Sequence, residues 1–465
     1  MVEANFRVER DSMGEIKVPE GVYWGAQTQR AIENFPISKL RFPGRFIRAL
    51  GMIKMGAAEA NMELGLLDKK FGKAVQQGAK EVMKGEFEDH FVVDIFQTGS
   101  GTSTNMNANE VIANRANELL GEKKVHPNDH VNMGQSSNDV IPAAIHAAAL
   151  EATDKELLPA LNELHRALED KAKEFNSIIK IGRTHLQDAV PLRLGQEFGG
   201  YASMIKHGIK RIDRTRRDLA ELAIGGTAVG TGINTHPKFA ELVIKRINKI
   251  TNLSFKEAEN HFEAQGSKDA LVETSSALKT LAVSLMKMAN DLRLLNSGPR
   301  CGIGEITVPS LQPGSSIMPG KVNPVVAEMV CQVSAKVMGN DATITVSGLS
   351  GNLELNTMMP VIGYCLLESI EILTNATLVF TEKCIREIRA NEERCLENIE
   401  KSLGLATGLT PYIGYDEAAK IAKEAHERGK TVREVAIEKH LLPKEKIEKA
   451  LDPATMAGLK KEDYI

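Results

Sequence analysis

The 465-residue chain is poor in cysteine: it has five, at 301, 331, 365, 384 and 395, with no Cys-x-x-Cys pair. An odd, scattered set predicts neither a disulfide framework nor a zinc cluster, and leaves buried reduced thiols as the expectation. An excess of charge is also missing. Lys plus Arg is 58 and Asp plus Glu is 61, so the net charge is −3, without the strongly basic footprint of a nucleic-acid binder. No apolar run is expected to reach the roughly 18 residues that cross a bilayer. The opening stretch MVEANFRVERDSMGEIKVPEG carries acids throughout and no apolar h-region. It therefore predicts neither a signal peptide nor an Arg-rich transit peptide, and places the protein in the cytoplasm. Internal repeats and low-complexity linkers are absent.

What is present is the ordinary balance of a globular protein, 42% apolar and 26% charged residues, in a chain long enough for about three domains and a large core. The middle reads as long helices. Leu278, Leu281, Leu285, Met288, Leu292 and Leu295 recur at alternating steps of three and four, a bundle seam within residues 268–296 that stops at Ser297-Gly298-Pro299. Residues 141–175, with Pro159 as a kink or break, 195–222 and 360–388 are further long candidates. Helices of about 30 residues exceed what one small core needs and predict packing against partner helices. Shorter helices are predicted at 48–66 and 104–120 in a mixed head, and at 416–428, 432–439 and 444–451 in a small tail.

Four polar segments interrupt the helices. The first, Gln97 to Asn107, holds Gly99-Ser100-Gly101-Thr102 at a helix start, where glycine backbone and hydroxyl donors suit an anion as well as they suit a turn and cap. The second is His126-Pro127-Asn128-Asp129 followed by Ser136-Ser137-Asn138-Asp139, in which Ser137 or Asn138 could simply cap the next helix. The third, Gly182-Arg183-Thr184-His185-Leu186-Gln187-Asp188, offers one histidine in a polar loop. Such a group is a general acid or base only in the right company. The fourth, Gly314 to Pro324, combines Ser315, Ser316, Lys321 and Asn323 with hinge glycines and prolines, with Glu328 starting the next helix. It is either a surface loop or a closure over a carboxylate. A weaker fifth segment, Gly225 to Gly232, could cradle an anion or only permit close packing. It lacks phosphate-loop spacing, and no strand is expected before it.

The run GSSIMPGKVNP (314–324) resembles the signature of the fumarase/aspartase superfamily. GSGTSTNMN, HPND, SSND, GRTHLQDA and GGTAVGTG follow that family's order, and the resemblance runs from RVERDSMGEIKVPEG to IGYDEAAKIAKEA. Thr184-His185, Gly320 before Lys321, and CGIGEI (301–306) resemble the fumarase branch. Val325-Val326-Ala327 and the stretch 353–375 look closer to aspartases. The resemblance implies an all-α, three-domain fold: a mainly helical head (1–135), a central long-helix bundle (136–388) forming the core of a homotetramer, and a small helical tail (389–465).

The activity the resemblance implies is that of the metal-independent, class II branch, the reversible anti hydration of fumarate to L-malate in the tricarboxylic acid cycle. By the same resemblance Ser315 abstracts the proton, with its alkoxide eased by backbone N–H groups and Lys321. His185 handles the water, oriented by Glu328. Ser100, Gly101, Thr102, Ser136, Ser137, Asn138, Thr184, Ser316, Lys321, Val322 and Asn323 bind the dicarboxylate, in sites shared between subunits. His126, Pro127, Asn128 and Asp129 form a second dicarboxylate site. No metal and no redox cofactor is implied. The rivals are an aspartase-type ammonia-lyase on the same scaffold, and a non-catalytic structural relative that would have lost these groups.

Overall fold

In the computed structural model, which describes residues 5–458, the chain is all-α with a few short antiparallel ribbons. Residues 1–4 and 459–465, the ends of the predicted head and tail and the start of the opening stretch, lie outside the described residues. A hairpin, β1 (Phe6–Asp11) and β2 (Gly14–Pro19), opens the chain in register Phe6↔Pro19. The helices that follow are α1 (Ala26–Asn34), α2 (Gly44–Glu63), α3 (Lys69–Met83), α4 (Thr102–Leu120), α5 (Ser137–Ala152) and α6 (Leu158–Glu174). A second hairpin, β3 (Ile179–Thr184) and β4 (Gln187–Arg193), leads into α7 (Leu194–Leu219). A parallel pair of two-residue strands, β5 (Glu221–Leu222) and β6 (Lys256–Glu257), flanks α8 (Phe239–Thr251). After α9 (His261–Gly266) come three long helices, α10 (Asp269–Leu295), α11 (Val325–Leu349) and α12 (Met359–Lys383). The tail holds α13 (Glu392–Lys401), α14 (Thr410–Ile413), α15 (Tyr415–Arg428), α16 (Val432–Glu438), α17 (Lys444–Ala450) and α18 (Pro453–Met456).

These residues group into two compact units. One comprises 1–159, 210–280 and 335–374, and the other 160–209, 281–334 and 375–465. In the first, α2 packs on α3, α5 and α8, burying Phe46, Leu50, Ile53 and Ala57. In the second, the tail helices enclose a core of Ile399, Leu405, Leu409, Ile421, Val432 and Val435, into which β3 inserts Ile181. The tail therefore anchors the second hairpin, and each fully buried aliphatic side chain contributes about 1.5–3 kcal/mol to that anchoring.

The expected seam on α10 is buried at all six positions, Leu278 through Leu295. Local chemistry corrects other boundaries. The candidate 141–175 does not split at Pro159: it runs on through a wide helical turn over Thr153–Leu157, with right-handed helical backbone at Ala152, Thr153 and Leu158, and Pro159 follows that turn. α7 stops at Leu219, so residues 221–222 are strand, and that strand does precede the Gly225 segment. α12 ends at Lys383 and continues only as a 3₁₀ turn over Ile385–Glu387. Two further expectations fail. Cys301 is exposed and Cys331 half-buried, and only Cys365, Cys384 and Cys395 are buried thiols. The helical stretch Met359–Glu387 is long and apolar enough by composition to span a bilayer, contrary to the sequence reading, although 61% of that apolar stretch is buried inside the protein. A Leu-, Ile- and Val-rich helix buried on most sides carries the same composition as a membrane span.

Candidate active site

Segment three is not a free loop. Thr184 pairs with Gln187 across a two-residue hairpin turn whose central residues are His185 (φ 57°) and Leu186 (φ 60°). Turns of this mirror-image kind suit the twist of paired strands but favour Asn-Gly. Two side-chain-bearing residues in the left-handed region cost about 1–3 kcal/mol each unless their surroundings fix them. Both are exposed at the tip. The base of the turn is gripped from below. The Arg183 guanidinium donates from both Nη atoms to Glu305 Oε1 and Oε2, each at 2.9 Å. Asn398 Nδ2 donates to Glu305 Oε1 at 3.0 Å, and Lys180 Nζ lies 3.2 Å from Glu305 Oε2 and 3.5 Å from Glu197. Glu305 is fully buried. Burial alone would push its carboxyl up, but the Arg183 hydrogen bonds and the Lys180 charge outweigh it and hold the group below the usual carboxylate range.

The signature loop, in the same unit, is a closed ring of hydrogen bonds. Gly314 N–H donates to the Lys321 carbonyl at 2.7 Å, and Asn323 Nδ2 donates to the Gly314 carbonyl at 2.7 Å. An added Cβ at Gly314 would fall 2.5 Å from the Lys321 carbonyl oxygen, so this closure requires glycine. Ser315 Oγ accepts backbone N–H groups from Ile317 at 3.2 Å and Met318 at 2.9 Å. Two such donors stabilise an oxyanion far better than a neutral hydroxyl. Lys321 Nζ donates to Asn323 Oδ1 at 2.7 Å. Lys321, Asn323 and Glu328, the last in the first turn of α11, line a cavity of about 730 Å³ together with Asn290 and Arg293. Val322 also lines this cavity, and both Ser316 and Val322 are exposed. Among the described residues no ion pair joins Glu328 to His185 within the chain.

The other unit holds the first and second segments. Gly101 (φ 74°) ends the turn that starts α4, and Ser100 and Thr102 share a hydroxyl hydrogen bond of 2.8 Å at that N-terminus. Ser136, not Ser137 or Asn138, caps α5, in a capping box closed by Asp139. Asn138 and Ser137 are held instead by side-chain bonds. Asn138 Nδ2 donates to the Ala228 carbonyl at 2.8 Å, and Asn105 Nδ2 donates to Ser137 Oγ at 3.3 Å. The glycine segment 225–232 does cradle an anion, and the anion belongs to the protein: Gly225 and Thr227 N–H donate to Asp139 Oδ2 at 3.0 and 2.9 Å. Beneath lies Lys54, fully buried, donating to Asn132 Oδ1 at 3.0 Å and Gln135 Oε1 at 2.9 Å. Burial pushes the Lys54 ammonium down to about 7, opposed by the charge of Asp139. Burial likewise pushes Asp139 up to about 6, against three backbone donors and Lys54. At the segment 126–129, His126 Nδ1 accepts from Asn128 and Asp129 N–H, both at 3.2 Å, capping a turn over Pro127–Val131.

Sequence reasoning gave no role to Lys54, Asp139, Arg183 or Glu305, which stand at the centre of these hydrogen-bond networks. A lysine inside the apolar run of α2, and Asp three residues after Ser136, were the available signals. Among the described residues no three His, Cys, Asp or Glu side chains cluster closely enough to hold a metal ion.

Comparison with known proteins bears on this geometry. Residues 14–339 match a family model described as lyase, and residues 405–458 match one described as fumarase C C-terminus. The class II fumarate hydratase of Halobacterium salinarum is 56% identical over 97% of both chains. The chain belongs to the class II fumarase family. The mitochondrial fumarate hydratase 1 of Arabidopsis thaliana is 51% identical over 98% of this chain and 93% of its own. The crystal structure of class II fumarase from Schistosoma mansoni superposes with a TM-score of 0.95 at 42% identity, covering 98% of this chain and all of that one. The aspartase-like positions 325–327 and 353–375 lie on helices α11 and α12 or just before the latter, outside the residues expected to bind or turn over substrate. The ammonia-lyase alternative is not favoured.

Proposed function

We propose that the protein is a metal-independent fumarate hydratase that interconverts fumarate and L-malate in the tricarboxylic acid cycle. The observation that carries the mechanism is the pair of backbone N–H groups on Ser315 Oγ. A serine is a poor base because its alkoxide is costly. Two fixed donors lower that cost, and the nearby Lys321 cation lowers it further. In the dehydration direction Ser315 Oγ takes the proton from the carbon alpha to one carboxylate. The electron pair moves into that carboxylate, then returns to form the C=C bond as the C–O bond on the neighbouring carbon breaks and its pair leaves with the oxygen. His185 gives the leaving oxygen its proton on the opposite face, oriented by Glu328. Ser100, Gly101, Thr102, Ser136, Ser137, Asn138, Thr184, Ser316, Lys321, Val322 and Asn323 hold the two carboxylates. His126 to Asp129 bind a dicarboxylate without turning it over.

We read the active protein as a homotetramer whose central region, 136–388, forms the bundle between the head, 1–135, and the tail, 389–465. Exposed apolar side chains on the long helices support this: Val283 is 52%, Val346 62% and Leu349 85% accessible in the single chain. Free thiols at all five cysteines suit the reducing cytoplasm.

The test is direct. Purified protein is incubated with fumarate, and with fumarate plus ammonia, with and without chelator. Malate from fumarate in chelator is expected, and ammonia-dependent formation of aspartate without malate would overturn the assignment. Ser315→Ala and His185→Asn should keep the oligomer and lose at least about 100-fold in kcat, the scale of a general acid–base contribution.

A further inference from the structure

We infer that Glu305 and Arg183 are positioning residues for the catalytic turn: their two-bond clamp holds His185 in its left-handed conformation at the hairpin tip. The inference rests on the reading of His185 as the group that handles water. Three observations carry it. His185 and Leu186 both sit at positive φ without glycine, a conformation that relaxes when the strand ends are free to move. The strand pairing is itself interrupted by a bulge between Ile181 and Arg183, so the ladder does not fix the tip alone. Arg183, at the tip side of that bulge and two residues before His185, is fastened at both Nη atoms to a fully buried carboxylate that Asn398 also holds.

The backbone of Glu305 is hydrogen-bonded at both ends. Its N–H donates to the Leu295 carbonyl at the end of α10, its carbonyl accepts from Asn391 N–H, and Asn398 of α13 holds the side chain. The clamp thus refers the hairpin tip to α10 and α13.

A purely stabilising role is a weaker account. Lys180, Arg183, Glu197 and Glu305 place two cations and two anions in or beside one buried site. Desolvating such ions costs several kcal/mol each, and apolar side chains of equal volume commonly do as well or better for stability. What apolar packing cannot supply is direction. A bidentate guanidinium–carboxylate pair fixes both distance and plane. Misplacing a catalytic group by about 1 Å costs on the order of 100-fold in rate.

The experiment compares Arg183→Lys, Glu305→Gln and Arg183→Ala with His185→Asn, each as the assembled full-length protein. Arg183→Lys keeps the charge and loses the fork. It should fold, assemble, and lose at least about 10-fold in kcat while KM stays within about threefold. Glu305→Gln should behave alike. Arg183→Ala should recover part of its kcat when guanidinium ion is added at millimolar level, and His185→Asn should not. Wild-type kcat in folded Arg183→Lys would overturn the inference, as would a loss confined to KM. If Glu305→Gln fails to fold, the Arg183→Lys and Arg183→Ala pair decides alone. If His185→Asn itself turns over normally, the functional reading of His185 falls and takes this inference with it. If His185→Asn is inactive and Arg183→Lys is normal, the clamp alone is refuted.

Discussion

The closest glycine approach among the described residues lies at Gly99, beside the proposed carboxylate-binding Ser100. A Cβ built there falls 1.9 Å from the Thr357 carbonyl oxygen, 2.7 Å from its carbon and 2.8 Å from its Cβ. Ordinary contact begins near 3.4 Å, so Gly99→Ala forces the two backbones apart by 3.4 − 1.9 = 1.5 Å. Neither side can yield cheaply. Thr357 leads into α12, and Met359 N–H donates back to the Gly99 carbonyl at 3.1 Å. Overpacking of this kind costs about 1–3 kcal/mol, and loss of the hydrogen bond about 1 more, so a destabilisation of roughly 2–4 kcal/mol is expected. The larger effect is functional. Ser100 and Thr102, one and three residues on, share their hydroxyl bond at the N-terminus of α4 and would move with the loop. A shift of about 1 Å predicts a fall of about 100-fold in kcat/KM. The assays are the rate of fumarate hydration and a thermal melt of the same preparation. An unchanged melting midpoint together with kcat/KM within about threefold of wild type would refute the reasoning from the close approach.

Two further predictions concern strain and buried charge. Leu186→Asn keeps the left-handed turn but replaces a side chain that rarely adopts positive φ, 72% accessible, with one that tolerates it; it should stabilise the chain by about 1 kcal/mol in urea unfolding with kcat nearly kept, and a loss of stability would show that the turn is unstrained. Lys54→Met removes a titration. The folded ammonium titrates at about 7, below the ordinary 10.5, so between those values the unfolded chain holds a proton that the folded one does not. Stability from this group is therefore full above about 10.5, falls as pH drops, and is lost as pH passes down through about 7, with a slope of up to about 1.4 kcal/mol per pH unit. The variant should lack that slope; parallel unfolding midpoints for both proteins from about pH 7 to about pH 9 would reject the shift.

How much of this was legible in the sequence depended on how local the signal was. The α10 seam was readable because six apolar residues repeat along one helix and need no partner to be recognised. The end of α7 was not, because residues 221–222 become strand only by pairing with Lys256–Glu257, more than thirty residues on. The same rule divides the site. Ser315 and Lys321 announced themselves through one contiguous signature and His185 through a second short polar run, and the loop geometry around Ser315 follows from Gly314 and Asn323 within the first. The glycine segment was ambiguous because its anion is Asp139, 86 and 88 residues away in the chain. The group that holds Arg183 is further still, 122 residues away at Glu305. Groups that touch substrate are chosen for their chemistry and sit in short polar runs. Groups that aim them are chosen for reach, and any charged residue on the right element serves. A motif therefore finds the side chains proposed to react, while the carboxylates and cations proposed to fix their direction emerge only when the chain is folded.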